Sequence, residues 1–274
     1  MIRLFAPALA LTLATPSLAH DPDPVRILVT NDDGVRSEGL AALVAALEPL
    51  GEVVVSAPAE NHSGASQSVT LFSRPFEVET LAASGATTRY AVRGTPADSV
   101  LFGLLGPGRE KPFDLVISGI NKGENVGNAV PVSGTVGAAR QAAMLGVTAI
   151  AVSQEMVPES EYDFTLAAQF AAKVAARILA LGDSAPKLVS INVPTDPVGV
   201  AFVPAGGSAF DMRALHRLPD TKEANVATYR IEFGRGDKPD DGGDAAALAK
   251  GLITSAGATG ADQPVASSNA ATAE

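Results

Sequence analysis

Short, continuously apolar segments alternate with segments of helical periodicity from residue 25 to residue 193. Apolar runs of this length predict strands that are buried on both faces, as in a parallel sheet. The predicted strands are residues 25–30, 52–57, 113–117, 147–152 and 188–193. The predicted helices are residues 39–47, 96–105, 135–145 and 163–181. This alternation predicts an α/β fold with a doubly wound, mostly parallel, Rossmann-like sheet and helices on both of its faces.

Two parts of the chain depart from this alternation. Residues 69–92 contain shorter β-prone runs broken at Pro75 and Gly85, which predicts an antiparallel excursion. Beyond residue 200 the periodicity weakens. There we predict one strand within residues 225–236, and a short helix or turn followed by a strand within residues 241–255.

The N-terminal segment has the form of an export signal. Arg3 precedes an apolar run that is too short to span a bilayer, and Ser17 and Ala19 place small side chains where a signal peptidase reads them. A buried N-terminal helix is the alternative interpretation, but two prolines disfavour it. We therefore predict a signal peptide over residues 1–19, cleavage near Ala19 and a periplasmic or secreted location. No later segment is long and apolar enough to predict a membrane span.

Composition divides the rest of the chain into three parts. The parts are an α/β domain over residues 20–200, a small β-rich C-terminal extension over residues 201–255 and a flexible tail over residues 256–274. The tail is rich in Ala, Ser and Thr and has few large apolar side chains to bury, so it is predicted to be flexible. A role of the extension in oligomerisation is one interpretation.

Charge and cysteine content exclude several partners. The formal net charge is −10, so the chain lacks the basic character that nucleic acid polymers and anionic membrane surfaces require. It contains no cysteine, which excludes disulfides and every zinc site with a Cys ligand. A small phosphorylated substrate remains possible, but its positive surroundings must come from a metal ion or from backbone N–H groups.

Polar side chains follow three of the predicted strands. Asp32 and Asp33 follow the first, Ser63 lies in the loop after the second, and Asn121 and Asn125 follow the third. The carboxyl ends of parallel strands share one edge of the sheet, where ligands bind in this fold class. Each group alone is also typical of turns and helix caps. Together, two carboxylates, a hydroxyl and an amide are oxygen ligands suited to Mg²⁺, Mn²⁺ or Ca²⁺ rather than zinc.

Five motifs in this order resemble those of the SurE family of survival-protein 5′/3′-nucleotidases. They are ILVTNDDG, SGASQSVTL, RGTPADSV, DLVISGINKGENVG and SGTVGAAR, which lie within residues 25–193. The resemblance implies that Asp32, Asp33, Ser63 and Asn121 bind one divalent metal ion, with Mg²⁺ or Mn²⁺ favoured and Ca²⁺ as an option. It further implies a phosphoric monoester hydrolase that acts on nucleoside 5′-monophosphates, with 3′-monophosphates as an option, and a homodimer or homotetramer.

We interpret Asp32 and Asp33 as catalytic residues as well as metal ligands. The metal would activate a water molecule for in-line attack on phosphorus, and one of the acids would accept its proton, with Asp33 the weaker candidate. Lys122 either contributes a charge or is a solvated loop residue, and His62 is either a leaving-group acid or an exposed loop residue. Substrate and phosphate binding is assigned to Asn31, Gly64, Asn125, Ser133, Gly134 and Thr135.

Two features depart from the resemblance. The family is usually cytoplasmic, whereas this chain opens with an export signal. The C-terminal part, which the family uses for a hairpin exchanged between subunits, lacks the family's His-containing segment but keeps Asp244 as its acid. Thr95 and Asp98 are expected only to cap a helix.

The alternative function is an exported binding protein for nucleotides or phosphate esters, with the same fold and little or no catalysis. A phosphatase with an aspartyl-phosphate intermediate is disfavoured, because those enzymes usually place their two acids one residue apart.

Overall fold

The computed structural model describes residues 24–159, 162–208, 210–219, 226–235 and 242–257. The predicted signal peptide, residues 1–19, and residues 258–274 of the predicted tail lie outside the described residues. The strands are β1 (Arg26–Thr30), β2 (Glu52–Pro58), β3 (Val78–Ser84), β4 (Thr87–Val92), β5 (Leu115–Lys122), β6 (Ala149–Gln154), β7 (Leu188–Val193), β8 (Gly199–Phe202), β9 (Phe210–Arg217), β10 (Tyr229–Arg235) and β11 (Leu252–Gly257). The helices are α1 (Glu38–Leu47), α2 (Pro96–Leu105), α3 (Pro107–Glu110), α4 (Gly134–Met144), α5 (Thr165–Leu181) and α6 (Asp244–Ala249).

The main sheet has nine strands in the order β3-β4-β2-β1-β5-β6-β7-β11-β8. Strands β4, β2, β1, β5, β6 and β7 run parallel to their neighbours in that series. Strand β3 pairs antiparallel with β4, and β11 pairs antiparallel with β7. The predicted doubly wound, mostly parallel sheet is confirmed, and so is the antiparallel excursion before the second half of the sheet.

Alternate residues of the central strands face opposite layers of helices, because side chains alternate along a strand. Ile27 and Val29 of β1 lie in an apolar cluster with residues of α1 and α5, whereas Leu28 lies in a second cluster with residues of α2 and α4. Burial on both faces explains why the strand sequences are apolar without alternation. Each fully buried Leu or Ile stabilises the fold by about 1.5–3 kcal/mol.

Helix α5 is an exception to the expectation that no segment after the signal peptide reaches the length and apolarity of a membrane span. Residues Thr165–Ser184 are long and apolar enough, by length and composition alone, to cross a bilayer. The helix is amphipathic, however: Ala167, Ala171 and Ala175 are buried in the core cluster, while polar residues lie on the opposite, exposed face. A single apolar stripe of this kind is typical of a helix that packs on a sheet.

The C-terminal part differs from the prediction in three respects. Strands β8 and β11 extend the main sheet, and β9 and β10 form a separate antiparallel ribbon. Strands β8 and β9 were not predicted, because β8 has only four residues and β9 is mostly exposed, so neither has a strong apolar pattern. The predicted start of the tail at residue 256 is also wrong for Ala256 and Gly257, which belong to β11 and pair with β7.

Candidate active site

The turn after β1 is fixed by the side chain of Asn31. Its amide nitrogen donates to the Gly34 carbonyl at 3.0 Å and to the Ser37 hydroxyl at 2.7 Å, and its oxygen accepts from the Gly34 N–H at 3.2 Å. Ser37 in turn caps α1, so neither adjacent acid is needed for that role. Asn31 is 0% exposed, and both ends of its amide are used inside the turn. Its assignment to substrate binding stays a prediction.

Asp32 lies in a buried position against the start of α4. Its Oδ1 accepts a hydrogen bond of 2.6 Å from the Thr135 hydroxyl, across 103 positions of sequence. A Cβ atom on Gly134 would lie 2.8 Å from Asp32 Oδ2 and from its Cβ, so only glycine fits beside this carboxylate. Burial raises the pKa of Asp32 above its ordinary value, and hydrogen bonds from the side chain and backbone of Thr135 oppose that rise.

Asp33 is more accessible than Asp32 and joins two other segments. Its Oδ1 accepts from the Asn61 amide and its Oδ2 from the Lys122 backbone N–H, both at 3.3 Å. Burial, and then the neighbouring charge of Asp32, raise the pKa of Asp33 to about 6. Two adjacent carboxylates in a partly dehydrated place repel each other, and a bound dication would relieve that repulsion.

The loop after β2 lies directly on the acidic turn. The His62 N–H donates to the Asp32 carbonyl at 2.7 Å, and the Ser63 N–H donates to the Asn61 side-chain oxygen at 2.9 Å. Ser63 itself is exposed. Asn121 lies inside β5, which runs to Lys122 rather than ending at the predicted residue 117. Its amide nitrogen donates to the Gly123 carbonyl at 2.7 Å, so the amide oxygen is the atom left for a ligand.

The described residues contain no group of three or more His, Cys, Asp or Glu side chains that could hold a metal. The two acids therefore need neutral oxygens to complete a coordination shell, and Ser63 and Asn121 are carried by the two segments that hydrogen-bond to the acids. An all-oxygen set of this kind fits Mg²⁺, Mn²⁺ or Ca²⁺. The donor chemistry thus fits the predicted divalent ion, and the ligation itself stays a prediction.

Three residues assigned to the phosphate belong to a buried polar network behind Asp32. Thr135 is 0% exposed and is engaged with Asp32, while the Ser133 hydroxyl accepts from the Val136 N–H as the cap of α4. The Asn125 side chain donates to the Ser153 hydroxyl at 2.8 Å, and its backbone N–H donates to Asn192 at 2.7 Å. The side chains of Thr135 and Asn125 are thus engaged inside the protein, while the predicted phosphate contact through backbone N–H groups at the start of α4 stays a prediction.

Sequence reasoning missed Ser153 and Asn192, which support this network from β6 and β7. Both are buried polar residues near the carboxyl ends of otherwise apolar strands. That position, a polar residue late in a strand buried on both faces, is the signal that would have found them.

The two predicted glycines have different roles. Gly134 allows the close approach of Asp32 described above. Gly64 has a φ of +78°, and a Cβ there would meet nothing within 4 Å. Glycine at this position suits the backbone conformation rather than a crowded contact. Ser63 and Gly64 remain the exposed part of the loop, available to a ligand.

The side chains of Lys122 and His62 differ in whether other protein groups already hold them. The Lys122 ammonium group bonds to Glu159, lies 3.9 Å from Glu38 and sits over the Tyr162 ring. It is therefore paired rather than free to approach a phosphate. The His62 side chain is partly exposed and lines a cavity next to the acidic turn.

The chain is similar to known proteins over most of its length. A family model described as "Survival protein SurE" matches residues 27–209. The 5′-nucleotidase SurE of Methanocella arvoryzae is 44% identical over 206 residues, which cover 70% of this chain and 77% of that protein. The 5′-nucleotidase SurE of Methanothermobacter thermautotrophicus is 42% identical, with 71% and 78% covered. The crystal structure of the SurE protein from Aquifex aeolicus is 30% identical and superimposes with a TM-score of 0.71, over 85% of this chain and 93% of that one.

Proposed function

Because the chain belongs to the SurE family of survival proteins, we propose that it is a divalent-metal-dependent phosphomonoesterase. Its substrates are nucleoside 5′-monophosphates, which it hydrolyses to nucleoside and phosphate, and 3′-monophosphates are the second class to test. The names of the 5′-nucleotidase relatives support the reaction class. The metal dependence is inferred from Asp32 and Asp33, because these two carboxylates lie side by side just after β1 ends and together favour a bound dication.

Each part of the site has a role in this reaction. A divalent ion held by Asp32, Asp33, Ser63 and Asn121 would neutralise charge on the phosphate and lower the pKa of a bound water. Thr135 holds Asp32 in place, so that the metal ligand needs no reorganisation during the reaction. The sequence made Asp33 the weaker candidate for the proton acceptor, but the geometry favours it over Asp32, because Asp33 is the more exposed and makes only long hydrogen bonds.

A cavity of about 500 Å³ offers a place for the nucleoside. It lies beyond the carboxyl ends of β6 and β7, and Phe210 and Phe233 of the ribbon line it beside Met156. The two rings are 6.5 Å apart and meet edge to face. A cavity of this size with an aromatic wall suits a purine or pyrimidine base. Glu124 and Glu155 also line the cavity.

Phosphate release tests the proposal directly. Chelator-treated protein should release phosphate from 5′- and 3′-nucleoside monophosphates only after Mg²⁺ or Mn²⁺ is restored, and Asp32→Asn should abolish that release. Asp183→Asn, an exposed acid at the opposite edge of the sheet, is the matched control. Calorimetry on the same proteins should give Asp32-dependent binding of the metal alone. Metal binding without phosphate release would instead support the alternative of a binding protein.

Export and assembly are further parts of the proposal. Cleavage near Ala19 would deliver the enzyme to the periplasm or outside the cell, and mass spectrometry of the mature N-terminus tests this. The exposed apolar residues Met212, Leu215 and Ile231 of the β9–β10 ribbon support a homodimer or homotetramer. Sedimentation of the wild type and of Ile231→Asp would measure whether the ribbon holds subunits together.

A further inference from the structure

A second polar cavity lies beside the acidic turn, on the side away from the aromatic one. Its volume is about 470 Å³, and it opens at the carboxyl ends of β2 and β4, next to the strand that carries the acids. Six charged or titratable side chains line it: Arg36, Glu60, His62, Arg74, Glu79 and Arg93. Ligands in this fold class bind at this edge of the sheet.

The cavity is positively charged in a chain whose net charge is −10. Three arginines face two glutamates in its lining. Among the residues that the structure describes, neither Arg36 nor Arg74 has an ion-pair partner, and Arg93 has only a 3.5 Å, exposed contact with Glu77. The aromatic cavity is the opposite case, since it carries Glu124 and Glu155 and no Lys or Arg.

Short backbone contacts connect this basic cavity to the metal ligands. Arg36 lies three positions after Asp33, and the Val35 N–H between them donates to the Pro58 carbonyl at 2.7 Å. His62, which lines the cavity, donates its N–H to the Asp32 carbonyl and precedes Ser63. The same two segments, the turn after β1 and the loop after β2, therefore form the metal site and one wall of the cavity.

We propose that Arg36, Arg74 and Arg93 form a subsite for a second phosphoryl group carried by the same substrate. The inference rests on the proposed function, because the metal site would hold the phosphate that is hydrolysed. Arginine suits the remote phosphate, since its planar group donates two parallel hydrogen bonds to phosphate oxygens. For a substrate with both phosphates on one nucleoside, that nucleoside would lie on the side of the basic cavity rather than in the aromatic one. Nucleoside bisphosphates would then be better substrates than the corresponding monophosphates.

The test compares 5′-AMP with adenosine 3′,5′-bisphosphate, which differ by one phosphoryl group. The variants are Arg36→Gln, Arg74→Gln and the double variant, and Arg109→Gln is the control because Arg109 is an exposed arginine of α3 away from this edge. The first readout is the ratio of kcat/KM for the bisphosphate to that for the monophosphate. The second is calorimetric binding of the bisphosphate to chelator-treated protein, at low and at high salt.

In the double variant the kcat/KM ratio should fall at least tenfold and the Kd for the bisphosphate should rise by a similar factor, with the control unchanged. Wild-type binding should weaken as salt is raised, because exposed charge pairs are screened. An unchanged ratio and unchanged bisphosphate binding in the double variant would overturn the subsite, and so would an equal loss for both nucleotides. If the wild type hydrolyses neither nucleotide, the proposed function fails, while arginine-dependent binding of the bisphosphate would still support the subsite.

Discussion

Replacing Gly134 by alanine tests whether the position of Asp32 is what makes this site work. The added Cβ would lie 2.8 Å from Asp32 Oδ2, whereas ordinary van der Waals contact begins near 3.4 Å. The carboxylate and the first turn of α4 must therefore separate by about 0.6 Å. A misplacement of about 1 Å in a catalytic group can cost about 10²-fold in rate.

We accordingly expect Gly134→Ala to lower kcat/KM for 5′-AMP by about 10- to 100-fold and to weaken binding of the metal alone. The effect on stability should be small by comparison. Alanine gains about 0.5–1 kcal/mol over glycine in a helix, and overpacking costs about 1–3 kcal/mol, which leaves a net loss of about 0–2.5 kcal/mol.

The assay is phosphate release at a temperature where circular dichroism gives a fully folded population, together with calorimetry for Mn²⁺ and urea unfolding. Gly242→Ala is the matched control, because a Cβ at that exposed position meets nothing within 4 Å. If Gly134→Ala kept its activity within about twofold and its metal affinity unchanged, the close packing of Asp32 on α4 would have no part in function.

Three further predictions follow from named contacts. Thr135→Val, which removes the hydroxyl bonded to Asp32, should lower kcat/KM about tenfold while Thr135→Ser restores it; equal activity of the two variants would show that the bond is dispensable. The pKa of Asp33 is raised to about 6 in the folded state, so its contribution to stability is present below its ordinary pKa and is lost as the pH rises through about 6. Metal-free protein should therefore lose about 1–2 kcal/mol between about pH 4 and pH 7 that Asp33→Asn does not lose, in urea unfolding at each pH. Asp98 is 0% exposed and accepts hydrogen bonds from Thr95 and Thr70, so Asp98→Ala should destabilise the protein by about 2–4 kcal/mol; a change below 0.5 kcal/mol in thermal unfolding would contradict the buried capping box.

The local sequence pattern was sufficient to predict most helices and strands of the α/β domain. The helix at Pro96–Leu105 and the strand at Leu188–Val193 have the predicted bounds, and Thr95 and Asp98 form the expected capping box. Strand β5 was predicted too short, because its site residues are polar although the backbone continues in the sheet. The ribbon strand β9 was missed because its stability comes from pairing with β10 rather than from a buried face.

For the site, the sequence indicated which segments meet, but not which atoms each residue uses. Asn31, Ser133 and Thr135 have the residue types of phosphate contacts, yet their side chains hold a turn, a helix cap and Asp32. Asn31 and Ser133 bond to residues only three positions away, in a turn and a helix cap that the local sequence also allows. For Thr135 the difference arises from distance along the chain. Thr135 and Asp32 are 103 positions apart and touch only because α4 begins beside the end of β1.

The sequence by itself determined the layered fold and the place of the acids at a strand end, because apolar periodicity and turn chemistry act over a few residues. Only the tertiary structure decided how polar atoms pair across the sheet edge and that Arg36, Arg74 and Arg93 share one cavity. Those arrangements depend on which strands become neighbours, and the strand order is set by packing of the whole domain rather than by any local segment.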